Sequence, residues 1–280
     1  MQVRRYSDPL SFLNRAEPFL MRGEAENSMM LGIRGQLGGR PPAFGEDCYL
    51  AVVEDGEEIM ACGLRTPPFG LIITRADPTV LECLVDDVSA KYDTLPAVLG
   101  PEPAVSTFAT FWSRRAGTQW RPLMRMRLFV AHEVRMLSAQ PPGALRTAVE
   151  ADLPTVTPWA IAFHQEARTG TPLDPTRTVR EDVINQRLVV WDDNGIVSMA
   201  TWAGRTSRSA RIGIAYTLPE HRGRGYASAC VAALTQRLLE EGVAFCCINT
   251  DLTNATTNKI YPAIGYRPVS DISNIDLQSG

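Results

Sequence analysis

A glycine- and arginine-rich turn between a strand pattern and a helix pattern most constrains how this chain can fold. Residues 210–218 alternate apolar and other side chains as a β-strand does, and residues 227–240 carry apolar side chains at helical spacing. The turn between them contains Arg222-Gly223-Arg224-Gly225. Glycines let a backbone approach a ligand closely, and the first turn of a helix offers unpaired N–H groups at a positive dipole end. This order of elements predicts an anion-binding site.

Two motifs make this interpretation more specific. The first, Arg222-x-x-Gly225-x-Ala227, lacks the Lys-Ser/Thr pair of a P-loop. The second, at 254–268, reads Asn-Ala-Thr-Thr-Asn-Lys-Ile-Tyr-Pro-Ala-Ile-Gly-Tyr-Arg-Pro. Together they resemble the pyrophosphate loop and the last helix and strand of the GNAT superfamily of acyl-CoA-dependent N-acyltransferases. The resemblance covers the second half of the chain well, over 145–269, and the first half only weakly.

The sequence also contains signs of an internal duplication. The hairpin pattern at 50–64 matches the pattern at 188–202, and 111–122 echoes 260–268, which indicates two copies of roughly 140 residues each. A Gln-Pro-Pro-Gly linker at 140–143 predicts domains at 1–138 and 144–280. Chance similarity between hairpin-rich segments is the alternative.

The duplication and the resemblance together give the expected fold class. It is a mixed α+β fold of two tandem GNAT-like domains, each with a central, mostly antiparallel mixed sheet flanked by helices. One or two helices are expected within 1–34, and loops at 35–44 and 169–175. The first copy has only Arg75-Ala-Asp-Pro-Thr between its strand and helix, without glycine, and we expect Asp77 to cap that helix and repel phosphate. The first copy is therefore predicted to be degenerate and unable to bind the cofactor.

Composition limits the partners. A net charge of −3 without a long basic run argues against nucleic acid, and no apolar run approaches the ~20 residues that span a bilayer. The start of the chain lacks the apolar core of a signal peptide, so we expect a cytoplasmic protein that does not engage a membrane. The six cysteines and three histidines show no metal-ligand spacing, so no metal is expected. A monomer or a homodimer is expected.

The resemblance implies how acetyl-CoA is held as a cosubstrate. It would lie in a V-shaped gap between the strand before the loop and the next strand, and an N–H group near 214–216 would polarise the thioester carbonyl. The side chains of Arg222 and Arg224 would either pair with phosphates or project into solvent. Backbone groups would hold the pantetheine arm at Tyr216, Thr217 and Leu218, and the pyrophosphate at Arg222, Gly223, Arg224, Gly225, Tyr226 and Ala227.

The catalytic residues are also carried over from the resemblance. Tyr261 would protonate the departing thiolate as general acid, because a phenol with its pKa near ~10 stays protonated at neutral pH; the alternative is a ring that packs under the cofactor. Glu166 is the candidate general base, with His164 as competitor, and both could equally be surface groups. Asn254 would cap the last helix or contact pantetheine, and Asn258 would contact the cofactor.

The leading hypothesis is an N-acetyltransferase that moves an acetyl group from acetyl-CoA to a primary amine of a small molecule or peptide. The alternative, from another class, is a non-catalytic acyl-CoA-binding sensor or scaffold. The presence of Tyr261 beside a complete loop favours the enzyme. A nucleoside-triphosphate enzyme is disfavoured because the loop has no lysine and no carboxylate for magnesium follows a buried strand.

Overall fold

The described part of the chain, in a computed structural model, comprises residues 1–32, 47–135, 137, 139–167 and 174–279. The predicted loop at 35–44 and residues 169–173 of the predicted loop at 169–175 lie outside it. The chain divides into two compact units: Met1–Leu128 together with Val269–Gly280, and Phe129–Pro268. The second unit is contiguous in sequence, whereas the first unit also includes the last residues of the chain. The boundaries 1–138 and 144–280 stay a prediction about the sequence repeat.

The first unit has helices on a mostly antiparallel sheet. Its strand order is β1-β2-β3-β4-β5-β12-β6, in which β4 and β5 are parallel. The pairs β1–β2, β2–β3, β3–β4 and β5–β12 are antiparallel. Its elements are β1 (Gln2–Arg5), α1 (Pro9–Leu20), α2 (Ser28–Gly32), β2 (Tyr49–Asp55), β3 (Glu58–Arg65), β4 (Leu71–Ile73), α3 (Pro78–Ser89), β5 (Ala97–Pro101), α4 (Glu102–Ala116), the first part of β6 (Gln119–Ala131) and most of β12 (Arg267–Ser279).

The second unit repeats this plan. Its strand order is β7-β8-β9-β10-β11, followed by the end of β6. Strands β10 and β11 are parallel, and the pairs β7–β8, β8–β9 and β9–β10 are antiparallel. Its elements are β7 (Ala144–Thr147), α5 (Leu153–Ala167), α6 (Pro175–Ile184), β8 (Leu188–Asp192), β9 (Ile196–Ala203), β10 (Ser209–Thr217), α7 (Tyr226–Glu240), β11 (Phe245–Asp251) and α8 (Thr257–Ala263).

The order of elements is the same in the two copies of the sequence. In both, a first strand is followed by two helices and an antiparallel three-stranded meander. A helix then leads to a strand parallel to the third strand of the meander, and a further helix leads to a final long strand. The expected duplication is therefore present in the fold. Both predicted hairpin turns are confirmed, with left-handed backbone at Gly56 and at Asn194. The short edge strand β1, where only helices were expected, was missed because its four residues carry almost no apolar pattern.

Helix α7 packs against strand β10 on one face of the sheet of the second unit. Its side chains Cys230, Val231, Leu234 and Leu238 recur at helical spacing and are at most 1% exposed. They share one apolar cluster with Ala210 and Ile212 of β10. Burying a leucine or valine in this way contributes about 1.5–3 kcal/mol each. The end of β10, including Tyr216, packs instead with Val156 and Trp159 of α5. The strand is thus fixed by helices at both of its ends.

Strand β12 completes the core of the first unit. Ile275 and Leu277 are 1% exposed and belong to the apolar cluster built around α3 and α4. Polar contacts hold the same strand, because Arg127 donates to Asp271 at 2.8 Å and Arg121 to Asp276 at 3.0 Å. None of the described helices is long and apolar enough to cross a membrane. Within the same residues, no group of three His, Cys, Asp or Glu side chains is placed to hold a metal ion.

These strand assignments predict how fragments behave. A fragment 144–280 carries the apolar strand β12 away from its unit and leaves behind Phe129 and Ala131, which are buried in the second unit. A fragment 129–268 matches the compact second unit. We expect 144–280 to aggregate and 129–268 to give the larger soluble monomer fraction, because unpaired strand edges and exposed apolar area favour association.

Size-exclusion chromatography of both fragments beside the full chain measures this difference. A monomeric 144–280 that unfolds cooperatively, at the same temperature as 129–268, would contradict the strand assignment.

Candidate active site

A gap opens between the two parallel strands of the second unit. Strands β10 and β11 pair in register only over Ser209–Phe245, Ala210–Cys246 and Arg211–Cys247. Beyond that point β10 continues to Thr217 and β11 to Asp251 without a ladder between them. The backbone groups of β10 that point towards β11 therefore have no strand partner there. The expected splay between the strand before the loop and the next strand is present.

A bulge at the start of the gap turns β10 away from its neighbour. The register with β9 shifts between Ile212 and Ala215, and the Ile214 N–H donates to Oγ1 of Thr201 at 2.9 Å. A Cβ at Gly213 would lie 2.6 Å from the same oxygen, so only glycine fits at this position. Of the N–H groups expected near the thioester, that of Ile214 is therefore already engaged by a side chain. No pattern in the sequence pointed to Thr201, and only the bulge identifies it.

The loop after β10 presents a row of unused N–H groups. Gly223 and Gly225 have φ of +76° and +85°, a left-handed conformation that glycine adopts without strain. In the described chain, the N–H groups of residues 223–228 donate to no backbone or side-chain acceptor. Helix α7 has no capping side chain and no acidic residue in its first turn. A Cβ at Gly225 would meet nothing closer than 3.9 Å, so the space before the helix is open. This geometry suits a phosphate group.

Two predicted details of the loop differ from the structure. The Arg222 N–H, expected among the phosphate donors, donates to the Pro219 carbonyl at 3.2 Å. Its guanidinium is about half exposed and is held by neighbouring groups, so it does not project freely into solvent. It donates from Nε to the Thr217 carbonyl at 3.0 Å and from Nη2 to both Glu166 carboxylate oxygens at 3.0 and 2.8 Å. It also lies 5.5 Å from the ring centroid of Tyr216. Arg222 therefore fixes the loop to strand β10 and helix α5.

Arg224, by contrast, is exposed at the loop and lies near the hydroxyl of Tyr226. That hydroxyl donates to Oδ2 of Asp193 at 2.6 Å. This bond raises the pKa of Tyr226, and the nearby charge of Arg224 acts in the opposite direction. Tyr226 thereby connects the start of α7 to the β8–β9 turn, and Arg224 is left exposed beside the loop. Ala227 is the second residue of α7, inside the row of unused N–H groups.

Tyr261 lies on α8, in the apolar cluster beneath α7. It is 5% exposed, and its ring centroid lies 6.2 Å from that of Phe129 and 5.8 Å from that of Tyr266. Burial raises the pKa of its phenol well above the usual value. Among the described residues none hydrogen-bonds the hydroxyl, whereas the hydroxyl of Tyr266 is engaged with Thr235 at 2.7 Å. Within the described chain, the Tyr261 hydroxyl is thus left without a partner, and its raised pKa favours the protonated form.

Comparisons with known proteins agree with this geometry. A family model described as FR47-like protein matches residues 192–272, which include the gap, the loop and α8. No curated protein sequence matches the chain. An acetyltransferase of the GNAT family from Colwellia psychrerythraea superposes with a TM-score of 0.61 at 11% identity, covering 99% of each chain. A GCN5-related N-acetyltransferase from Sphaerobacter thermophilus gives 0.60 at 18%, covering 100% of this chain and 96% of its own.

A third structure is a tandem GNAT protein from the clavulanic acid biosynthesis pathway. It gives a TM-score of 0.59 at 12% identity, covering 100% of this chain and 98% of its own. The chain has the tandem GNAT fold. Identities this low establish the fold alone, and the FR47-like match lies wholly in the second copy. The expected mixed α+β class with two GNAT-like repeats is therefore confirmed.

In the GNAT fold of this chain, Glu166 is at the end of α5 and is not free. Its carboxylate accepts from Arg222 and from the Tyr216 hydroxyl at 3.1 Å. Burial, and secondly this hydrogen bond, raise the pKa of Tyr216. The competitor His164 has its pKa lowered by burial. The geometry therefore gives Glu166 a position as anchor of Arg222, and it lends no support to its role as base.

The backbone of Tyr216, Thr217 and Leu218, expected to hold pantetheine, lies along the open side of the gap and at its end. Its carbonyl groups already accept bonds from the Ser198 hydroxyl at 3.1 Å, from Nε of Arg222 at 3.0 Å, and from the His221 N–H at 2.9 Å, respectively. Tyr216 and Thr217 also belong to the antiparallel ladder with β9. Their contact with pantetheine stays a prediction.

The two asparagines of the second motif build the turn that leads into α8. The helix begins at Thr257, not at Asn254 as expected, because Oδ1 of Asn254 first accepts from the N–H groups of Thr256 and Thr257, each at 3.2 Å. The amide of Asn258 donates back to the carbonyls of Asp251 and Asn254, each at 2.9 Å. Both side chains thus shape the end of β11. Their contact with a cofactor stays a prediction.

The first unit has no comparable site at the equivalent position. Only residues 74–77 separate β4 from α3, and the Val80 and Leu81 N–H groups both donate to the Asp77 carbonyl. The Asp77 side chain makes no capping bond, which corrects the expectation that it satisfies the helix end. Arg75, the cation of this segment, pairs with Glu26 at 2.7 Å. The short connection therefore leaves neither the glycines nor the row of free N–H groups that phosphate binding uses.

We predict that Gly225→Asp abolishes acetyl-CoA binding measured by calorimetry, where the unchanged protein should bind one molecule per chain. The substitution places a negative charge where phosphate must approach the backbone. Gly242→Asp is the matched control, because Gly242 follows the other end of α7 with φ of +97° and open space around its Cβ. Both variants carry the same left-handed strain. Equal affinities in the two variants, or two equivalent sites per chain, would contradict the assignment of the loop.

Proposed function

We propose that this protein is an N-acetyltransferase that transfers the acetyl group of acetyl-CoA to a primary amine of a small molecule or peptide. The observation that carries the proposal is the row of unused N–H groups at 223–228, located where β10 leaves the gap between β10 and β11. A gap of this kind accommodates an extended chain between two strands. The loop supplies donors for a diphosphate at its end. The FR47-like match and the tandem GNAT fold support the proposal.

Bound acetyl-CoA supplies an acetyl group activated as a thioester. In the proposed reaction the amine nitrogen bonds to the acetyl carbon, the carbon–sulfur bond breaks, the nitrogen loses a proton and the sulfur gains one. Donors at 223–228 and the exposed Arg224 hold the phosphates. Unpaired groups of β10 between Ile212 and Thr217 orient the arm and the carbonyl. No residue of this chain forms a covalent bond in this scheme.

Tyr261 is proposed as the general acid. Its raised pKa keeps the phenol protonated over the neutral range, and in the described structure its hydroxyl has no competing acceptor. Glu166 is proposed as a positioning residue instead of the base, because its carboxylate holds Arg222 and Tyr216. A protein that binds acetyl-CoA and releases no thiol with any amine would instead be the binding-only sensor. Thiol release from acetyl-CoA with a panel of amines therefore tests the proposed function.

Tyr261→Phe should lower kcat by about 10²–10⁴-fold, because it removes the proton donor and keeps the ring. The calorimetric affinity for acetyl-CoA should change little. Tyr266→Phe is the control, since it removes a neighbouring hydroxyl whose partner is Thr235. It should cost stability and leave kcat nearly unchanged. An unchanged kcat in Tyr261→Phe would assign this ring to packing.

The variant Glu166→Gln distinguishes a positioning role of Glu166 from a role as general base. The amide oxygen still accepts a bond from Arg222, so we expect kcat within about tenfold of the unchanged protein and the same shape of pH–rate profile. Glu166→Ala should weaken acetyl-CoA binding more than Glu166→Gln does, because Arg222 then loses its partner on α5. A loss of about 10²–10⁴-fold in Glu166→Gln, with disappearance of the acidic limb of the profile, would make Glu166 the base after all.

A further inference from the structure

Arg211 occupies the last paired position of β10 before the gap opens. Its neighbours in sequence, Ala210 and Ile212, are both buried in the cluster under α7. Because successive side chains of a strand point to opposite faces, Arg211 is directed to the face away from α7. The same argument applies to β11, where Cys246 and Ile248 belong to the α7 cluster. Cys247 and Asn249 therefore share the face of Arg211.

The guanidinium of Arg211 has no partner in the described part of the chain. Its Nε is buried without an acceptor, and the guanidinium makes no ion pair there. Burial lowers the pKa of Arg211, and the nearby Cys247 opposes this effect. Arg146 of the same unit is also half-buried but binds Asp152 at 2.7 Å and Asp192 at 2.8 Å. Arg211 as a whole is half-buried, but its Nε is removed from water without an acceptor, which is unfavourable. Such a group needs an explanation.

A second unsatisfied polar atom lies on the same face, two residues further along β11. Oδ1 of Asn249 is buried and has no donor in the described residues. The register pairs Arg211 with Cys247, so the Cα atoms of 247 and 249 are about 6.6 Å apart along the strand. The closed end of the gap thus has an unpaired cation on one face, and next to it an unpaired acceptor. An amine that also carries a carboxylate has the complementary pair of groups.

We infer that Arg211 and Asn249 recognise the acceptor, and that the acceptor is an amine bearing a carboxylate, such as an amino acid. This inference rests on the proposed function. The planar guanidinium pairs with a carboxylate through two parallel hydrogen bonds, and the Asn249 oxygen accepts an N–H of the acceptor. Arg211 is then a specificity-determining residue. Arg211 would also require that the acceptor carry a carboxylate, which the loop motifs do not indicate.

The phosphates of acetyl-CoA are an unsuitable partner for Arg211. From Arg211 to Thr217 the strand runs about 20 Å, and the loop with its unused N–H groups begins only beyond that end. Arg211 also lies on the opposite face of β10 from the helix whose first turn faces the anion. The group that satisfies Arg211 must therefore approach from the base of the gap. In an acetyl transfer, the acceptor amine binds as a second molecule beside acetyl-CoA, so the acceptor is the candidate partner of Arg211.

The test compares free amino acids with their methyl esters as acceptors, in the full chain saturated with acetyl-CoA. Each pair shares the amine and differs in the carboxylate. We expect the acid to have the higher kcat/KM. Arg211→Gln should lower kcat/KM for the acid by roughly 10- to 100-fold and leave the ester unchanged. Arg211→Lys keeps the positive charge but cannot donate two parallel hydrogen bonds to a carboxylate, so its loss of kcat/KM for the acid should be intermediate. Arg180→Gln, which removes an exposed guanidinium from α6, is the matched control.

Three results would overturn the inference. Esters that react as well as acids, with Arg211→Gln lowering both alike, would leave the acetyltransferase proposal standing and remove the carboxylate requirement. Preference for aminophosphonates over the matching acids would assign the anion to phosphate-like groups instead. A Tm of Arg211→Gln well below that of Arg180→Gln, with equal loss for acids and esters, would show that Arg211 supports the fold.

A readout without turnover keeps the inference testable if no amine is acetylated. Amino acids are then titrated by calorimetry into the protein saturated with coenzyme A. Binding of acids and not of esters, lost in Arg211→Gln and kept in Arg180→Gln, would support the site although the proposed function had failed. Absence of binding by any acid would overturn it. Acetyl-CoA affinity, measured separately with Gly225→Asp, reports on the loop alone.

Discussion

The parting of β10 from β11 is the constraint on which the candidate site depends. Two parallel strands normally continue their ladder, and here it stops at Arg211 and Cys247. The cause is local: a bulge at Gly213 and Ile214, in which the Thr201 hydroxyl replaces a strand partner. The hydroxyl satisfies the displaced N–H, so the bulge leaves no unpaired buried donor at this point. Everything proposed for cofactor and acceptor uses the space that this interruption creates.

The loop that follows is held by side chains instead of by regular structure. Arg222 joins the end of β10 to α5 through Thr217 and Glu166, and Tyr226 joins the start of α7 to the β8–β9 turn. The Arg222–Glu166 pair is about half exposed on both sides, so its contribution to stability is on the order of 1 kcal/mol or less. Its value is positional. These contacts are satisfied without using the N–H groups at 223–228, which leaves them available to a ligand.

The two copies show how one plan can support a site in one place and not in the other. Both have parallel strands joined by a helix, and both bury that helix on the sheet. In the first copy the connection is too short for an anion loop, and Arg75 is paired with Glu26. The apolar core of this copy is nevertheless complete, and β12 from the end of the chain contributes to it. Retention of a core without a loop is consistent with a structural role for the first unit.

The sequence by itself determined the repeated mixed fold, both hairpins, the loop and the position of Tyr261 on the last helix. These features depend on local causes: glycine at positive φ, apolar periodicity and short motifs. It did not determine that β12, from the end of the chain, lies in the sheet of the first unit, because the strand pattern of β12 fits either sheet. It also did not determine that Arg222 binds Glu166, that Asn254 precedes the helix, or that Arg211 has no partner. Those outcomes depend on which side chains, distant in sequence, meet when the two faces of the sheet are covered.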